Sequence, residues 1–374
     1  MKVQVNNSKL LQALGHIQSI VEKKTVKSIL SNVKLTVQDN QILLYTTDLD
    51  IFAKESIPVN ASGHITTTVP INIFYDIIRK IGLGKEICLI FTPSNDPNTM
   101  LIQSELSEFT LPCSSAEQFP DFEEGEHSCV FDMVSSNLHY LITTIKHAIS
   151  YDESRYYLSG VFFHVTEDNG VKILRAVATD AHRMAISEIV LPKNGQLLPS
   201  IIIPKKTIFE LIKLLEDSTD NVSIGISPNK ITFQIGDVTL VSKLIDGKFP
   251  DYDKAIPYNN TKLLKVSIAE FSKAIGLVTA ISTEKTVVVK LKVEKEKIIL
   301  SVSDKINSSG TIEVPALYTS DRVVISFNAK YIIDILNNLK GKNAHLKLNS
   351  SNTAVLIEDS INTNCRFVLM PMQA

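Results

Sequence analysis

The strongest constraint on this chain is that its punctuation repeats. Phe119-Pro120-Asp121-Phe122 returns as Phe249-Pro250-Asp251-Tyr252, its proline 130 residues further on, and Pro371 follows 121 residues later within Leu369-Met370-Pro371-Met372. Three units of about 125 residues account for the whole length. A repeat of this size means that one folding plan is used three times. We place the units at residues 1–126, 127–256 and 257–374.

Each unit carries the same order of patterns. Leu10, Leu14, Ile17 and Val21 follow Val3 and Val5; Leu138, Leu141, Ile142, Ile145 and Ile149 follow Val130 and Phe131; Ile268, Phe271, Ile275 and Val278 follow Leu264 and Val266. Spacings of three and four place these side chains on one face of a helix. Asn7, Ser135 and Ser267 stand at the helix starts, where a side-chain oxygen can cap free amides. A second helix per unit is marked by Phe74, Ile77, Ile78 and Ile81, by Ile208, Leu211, Ile212 and Leu215, and by Ile332, Ile335, Leu336 and Leu339. Pro70 and Pro204 precede the first two of these, as suits a residue with no N–H to satisfy; Asn328 stands there in the third copy.

Alternating runs lie between the helices. Val33, Leu35 and Val37 turn at Asp39-Asn40 into Ile42 and Leu44. Val161, Phe163 and Val165 turn at Asp168-Asn169-Gly170. Val287, Val289, Leu291 and Val293 return through Ile298 and Leu300. Such runs with polar turns are antiparallel hairpins. The expected fold class is α+β: three similar domains, each two helices packed on antiparallel sheets.

Charge separates the helices from the rest. The proposed spans 7–24, 72–85, 136–148, 205–216, 267–279 and 328–342 hold 14 Lys+Arg and 6 Asp+Glu, whereas the remainder holds 24 and 34. A net charge of −2 therefore hides basic helices on an acidic body. Gathered on one surface, these helices would suit a phosphate backbone contacted without base reading. Lysine also favours solvated helix faces for its own reasons, so both accounts stand at this point.

Other features narrow the compartment. Residues Met1–Asn7 are too polar for a signal peptide. No apolar run approaches the ~18 residues needed to cross a bilayer. Cys88, Cys113, Cys129 and Cys365 show no C-x-x-C pair and read as reduced thiols of a cytoplasmic protein. The histidines lack zinc-site spacing, so no metal is expected. Nucleophile-elbow, phosphate-loop and dinucleotide motifs are missing, and neither a catalytic residue nor a cofactor is expected. Asp180-Ala181-His182-Arg183 is the one compact Asp/His/Arg cluster, and a structural or binding role fits it better than acid–base chemistry. Asp48 and Asp50 fit turn-capping better than a cation. Arg155-Tyr156-Tyr157 can stack on bases and touch phosphates, or can divide into one core and one surface tyrosine.

These segments carry a resemblance. Thr47-Asp48-Leu49-Asp50, Arg155-Tyr156-Tyr157-Leu158-Ser159-Gly160, Ala178 to Ala185, Ser242 to Tyr252 and Val368-Leu369-Met370-Pro371-Met372 resemble, in order and over the whole chain, the bacterial DNA polymerase III β-subunit family of replicative sliding clamps. The resemblance implies a DNA-clamp fold. Two subunits would join head to tail in a homodimeric ring around duplex DNA, giving processivity to the replicative polymerase without catalysis.

It also implies a cleft for short peptides of the polymerase catalytic subunit, the clamp loader, repair polymerases and other partners, with no membrane involved. By motif position its walls include Leu158, Thr179, His182, Arg183, Met184 and Pro250, then Val368, Met370, Pro371 and Met372, with Ala181 where the family usually has glycine. Methionines and aliphatics make an adaptable pocket, and His182 and Arg183 are expected to orient the peptide's polar groups; without the resemblance, the terminal methionines would read as core. Expected DNA contacts are Lys24, Arg79, Lys80, Lys146, Arg155, Tyr156, Tyr157, Lys205 and Lys206, and expected seam residues are Phe109, Leu111 and Ile281. Asp152, in the DNA loop, and Asp253-Lys254, where two basic residues are common, depart from the family pattern.

Overall fold

The computed structural model describes residues 1–22, 27–92, 99–105, 107–121, 125–195, 198–216, 218–219, 221–303 and 308–372. Six α-helices lie among them: α1 (Asn7–Ile17), α2 (Ile71–Ile81), α3 (Ser135–Ile145), α4 (Lys205–Glu216), α5 (Ile268–Thr279) and α6 (Ala329–Leu336). Each coincides with an apolar stripe in the sequence. Leu10, Leu14 and Ile17 are buried in α1, Leu211 and Leu215 in α4, and Ile332 and Ile335 in α6. Three helices are shorter than their stripes. After α1 a 3₁₀ turn runs Gln18–Ile20, after α3 another runs Lys146–Ala148 before the buried Ile149, and α6 ends at Leu336, with Leu339 buried beyond it.

The caps refine the expectation at one end. Asn6, not Asn7, caps α1, its Oδ1 accepting from the amides of Ser8 (3.1 Å) and Lys9 (3.3 Å). Asn7 is buried instead, and its amide donates to the carbonyl of Ile78 (3.2 Å) near the end of α2. Ser267 caps α5 through the Glu270 amide. Pro70 and Pro204 close the strands Ile65–Pro70 and Ile201–Pro204 directly before α2 and α4, where a missing amide leaves nothing unpaired.

The three expected hairpins form. Strands Asn32–Gln38 and Gln41–Thr47 meet at Asp39-Asn40, both with positive φ, and Gly160–Asp168 and Val171–Thr179 meet at Asn169-Gly170, also both positive. Two left-handed residues match a two-residue turn to the strand twist. Val288–Glu294 and Lys297–Ser303 make the third hairpin.

The chain forms two compact units that cut across the sequence thirds. The first comprises residues 1–139, 192–198 and 206–244, and the second residues 140–191, 199–205 and 245–374. The first holds a five-stranded and an eight-stranded sheet, the second a twelve-stranded sheet. In the eight-stranded sheet, strand Val238–Lys243 pairs antiparallel with Ile51–Pro58, so middle-third strands run on into those of the first third. In the twelve-stranded sheet, Arg183–Val190 pairs with Cys365–Leu369, joining middle-third strands to the last third. These joints satisfy edge N–H and C=O groups that would otherwise face water. The sheets are open, not closed barrels.

Candidate functional site

The site grows from a turn that the fold uses twice. Thr47 Oγ1 donates to the Ile51 carbonyl (2.8 Å) and accepts from the Leu49 amide (2.9 Å). Asp48 Oδ1 accepts from the amides of Asp50 (2.9 Å) and Ile51 (2.7 Å). Thr179 and Asp180 repeat all four bonds with Arg183, Ala181, His182 and Arg183 at 2.8, 3.1, 2.9 and 2.9 Å. The third residue is left-handed in both, Leu49 at φ 82° and Ala181 at φ 72°. Glycine adopts that conformation without a Cβ penalty, so Ala181 bears a small strain. The only compact Asp/His/Arg cluster is therefore a turn whose aspartate is spent on amides, and Asp48 does the same.

Around the second turn the structure gathers most of the expected cleft. Leu158, Met184 and Val368 lie in one buried cluster with Val177, Ile186, Ile202, Phe249, Tyr252, Ile256 and Leu356. They form a floor, not exposed walls. The Met370 amide donates to the His182 carbonyl (2.9 Å) and the Met372 amide to the Ser326 carbonyl (2.7 Å), which lays the chain end beside the turn. Above the floor, Met370 is 44% and Met372 36% exposed. Ala181, His182 and Pro250 are also exposed, Pro371 is half-buried, and Thr179 is buried within its turn.

Arg183 is engaged within the chain itself. Its side chain is buried, with Nε 3.1 Å from Asp180 Oδ2 and Nη1 2.6 Å from Asp334 Oδ2. Its guanidinium carbon stands 4.1 Å from the Tyr331 ring centroid. Nε, Nη1 and one face of the guanidinium are thus engaged within the chain. Asp334 and Tyr331 lie on α6 and carry no motif of their own in the sequence.

The Phe249-to-Tyr252 segment is anchored by groups that alternation alone conceals. Phe249 stacks on Phe162 at 4.7 Å between centroids and an interplanar angle of 6°. The Tyr252 hydroxyl lies 2.7 Å from His164 Nε2 and accepts from Arg175 Nη1 at 3.0 Å. Arg175 pairs with Glu188, directly opposite it on the next strand, and stands 3.6 Å from Asp253. The Asp253 departure thus places a carboxylate beside a half-buried arginine.

His147 ties the same region together. It is half-buried against Phe367 (5.7 Å between centroids), its Nδ1 lies 3.3 Å from Asn338 Nδ2, and desolvation pushes its pKa down to about 4. The unfolded chain then binds a proton near pH 6.5 that the folded chain refuses until about 4. Stability from this group is complete above pH 6.5 and falls as pH drops through that window. Between pH 7 and 5 the loss amounts to about 2 kcal/mol. Guanidinium unfolding at the two pH values should show His147→Gln reducing the difference by that amount.

The expected DNA contacts fare unevenly. Lys24 lies outside the described residues. Arg79 and Lys80 are exposed in the last turn of α2, Arg79 2.9 Å from Asp76, and Lys146 is half-buried just after α3. Asp152 caps the following turn through Ser154 and holds Arg155 Nε at 2.8 Å; these bonds keep its carboxyl below the usual range. The departure at Asp152 is therefore a neutralised cap. Tyr156 is exposed, whereas Tyr157 packs on the apolar cluster. Lys205 Nζ lies 3.7 Å from the centroid of the exposed Tyr151 ring. Lys206 is bonded to Asp48 and to the Ile20 carbonyl, so less of it is available to a phosphate.

At the expected seam, Phe109 is 39% exposed on the end strand Ser107–Pro112, whereas Leu111 is only 4% exposed and already serves its own core. A Cβ at Gly310, on strand Ser309–Leu317, would stand 3.4 Å from Ile281 Cδ1. All four cysteines are free, and burial pushes the Cys365 thiol up to about 11. No described helix is long and apolar enough to cross a membrane.

Repeated helix-and-sheet units, sheets continued from one third into the next, and an apolar cluster at such a joint define a clamp-type scaffold. Models of the DNA polymerase III beta subunit match in series: the N-terminal domain at residues 1–123, the central domain at 132–251 and the C-terminal domain at 253–373. The beta sliding clamp of Caulobacter vibrioides is 36% identical and that of Escherichia coli K12 30%, each alignment covering 100% of both chains. A crystal structure of the sliding clamp of Bartonella birtlesii bound to griselimycin superposes with a TM-score of 0.96 at 36% identity, over 100% of each chain. A Caulobacter crescentus clamp with polyethylene glycol bound to its putative beta-motif tethering region gives 0.96 at 35%, covering 100% of this chain and 99% of that one. The chain belongs to the DNA polymerase III beta subunit family, the sliding clamps.

Proposed function

We propose that two copies of this chain close head to tail around duplex DNA, hold the replicative polymerase on its template, and dock partner peptides above the Leu158–Met184–Val368 floor. The edge strands carry this reading. Val238–Lys243 pairs with Ile51–Pro58, and Cys365–Leu369 pairs with Arg183–Val190. By repeat position, Ser107–Pro112 and Ser309–Leu317 are the third such couple. Ser107–Pro112 ends its sheet, and Ser309–Leu317 meets Lys262–Ser267 only at Ala316 and Leu317. Each strand thus offers an open edge to a second copy. Such an interface is heterologous, and it closes into a ring when the rotation fits.

Lys24, Arg79, Lys80, Lys146, Arg155, Tyr156 and Lys205 would then serve the DNA through non-specific, salt-sensitive contacts. The partners would be the polymerase catalytic subunit, an ATP-driven clamp loader and repair polymerases. The chain itself would act in the cytoplasm without catalysing a reaction, and the domain limits would be those set by the sequence repeat.

Light scattering across a dilution series tests the assembly. The wild type should hold twice the 41.5 kDa chain mass, and Phe109→Asp, which places a carboxylate on the open edge, should shift it to the single-chain value. A wild type that is monomeric throughout would refute the closed ring for the isolated protein.

A further inference from the structure

We propose that Arg183 is a positioning residue of the cleft: its guanidinium does not meet the docked peptide but locks the 179–183 turn to α6, and so sets where His182 and the chain end stand. This rests on the cleft reading above and goes beyond it, because an arginine beside a peptide groove would ordinarily be read as an anchor for the peptide's acidic groups.

The geometry argues against an anchor. An arginine reads carboxylates with its planar fork. Here Nε is given to Asp180, Nη1 to Asp334, and one face to the Tyr331 ring. A peptide carboxylate gripping either edge of the fork with both oxygens would need Nε or Nη1 and so would compete with one of these aspartates. The displaced aspartate would be left without its partner in a poorly solvated place, at a cost that offsets the new contact.

The same contacts explain what the residue does. Asp180 holds the turn through its other oxygen, so Arg183 joins a closed turn to a helix. The segment just past α6 is tied as well. Asn338 donates to the Asp334 carbonyl at 2.7 Å and lies 3.3 Å from Nδ1 of His147, whose ring packs on Phe367 of the strand leading to Met370. The turn is thus fixed to α6, and the strand leading to the chain end is linked through His147 to the residues just after it. A groove held in this way meets a peptide with less ordering left to pay for in entropy.

A double-mutant cycle separates the two roles. The probe is a fluorescein-labelled peptide from the replicative polymerase catalytic subunit of the same cell, with affinity and dissociation rate read by anisotropy. Asp334→Asn should weaken binding about tenfold through faster dissociation, although its carboxylate faces Arg183. Asp334→Glu should recover most of the loss. Arg183→Lys should cost a similar factor, and the double variant should be no weaker than the worse single one. Tyr331→Leu, which removes the ring beneath the guanidinium, provides a second route should Asp334→Asn fold poorly. Unchanged or tighter binding by Asp334→Asn, with the loss confined to Arg183→Lys, would make Arg183 a peptide contact and overturn the proposal. A wild type that does not bind the peptide would overturn the cleft reading itself.

Discussion

Met370→Ala combined with Met372→Ala should lower affinity for a polymerase-derived peptide about 100-fold while leaving the solution mass and melting temperature of the clamp unchanged. The two side chains are the exposed methionines of the proposed site, at 44% and 36%, and both backbones are held by hydrogen bonds to His182 and Ser326. Truncating them removes contact surface without emptying a core. Each unbranched thioether can adapt to a related ligand, and the loss of both is expected to cost about 1–2 kcal/mol apiece. Met184 would be a poor substitute in this experiment. It is buried in the floor, and truncation there opens a cavity costing about 2–5 kcal/mol of fold stability. Isothermal titration calorimetry on the double variant decides the matter, and wild-type affinity would remove the chain end from the site.

Much of this was legible because local chemistry dictates it. Helices α1 to α6 sit on stripes of spacing three and four, and the Asp39-Asn40 and Asn169-Gly170 turns follow from residues that tolerate positive φ. At α1 the sequence reading put Asn7 at the cap, and only packing shows otherwise: Asn6 faces its own helix end, while Asn7 is buried against the end of α2. The joining of sheets between sequence thirds was not legible. Pairing Ile51–Pro58 with Val238–Lys243 spans almost 190 residues, and no local pattern specifies which edge meets which. For the same reason the sequence placed Arg183 beside the peptide but could not supply Tyr331 and Asp334, which reach it from 150 residues away.

Under the proposed docking, the repeated turn also explains why one joint would present a surface to a peptide and its counterpart would not. At the first joint the Lys243 amide donates to the Asp50 carbonyl at 2.9 Å, as the Met370 amide does to His182 at the second. The backbones are alike and the side chains are not. Lys243 Nζ lies 3.0 Å from Asp50, so an ion pair covers the position where the second joint presents a methionine and a histidine. Exposed ion pairs add little stability, but a charged pair in place of apolar surface gives an apolar peptide nothing to bury. Specificity for one joint is then a property of two side chains on a shared frame.

After loading onto nicked circular DNA the clamp should remain bound through a gel-filtration column, and linearising the same DNA should release it within the run. The individual contacts are weak. Several expected basic groups are already engaged inside the chain: Arg79 with Asp76, Arg155 with Asp152, and Lys206 with Asp48. The net charge is only −2 and the helices carry the positive excess, so attraction to DNA is local and screened by salt. Contacts of this strength cannot hold a protein on DNA by affinity alone, yet they allow it to slide. Retention must then come from closure, and closure distinguishes a circle from a rod with free ends. Raising the salt should speed escape from the linear DNA and leave the circular complex intact for as long as the seam at Phe109 holds. Equal retention on both forms would mean that ordinary affinity keeps the chain in place, and the encircling ring would have to be abandoned.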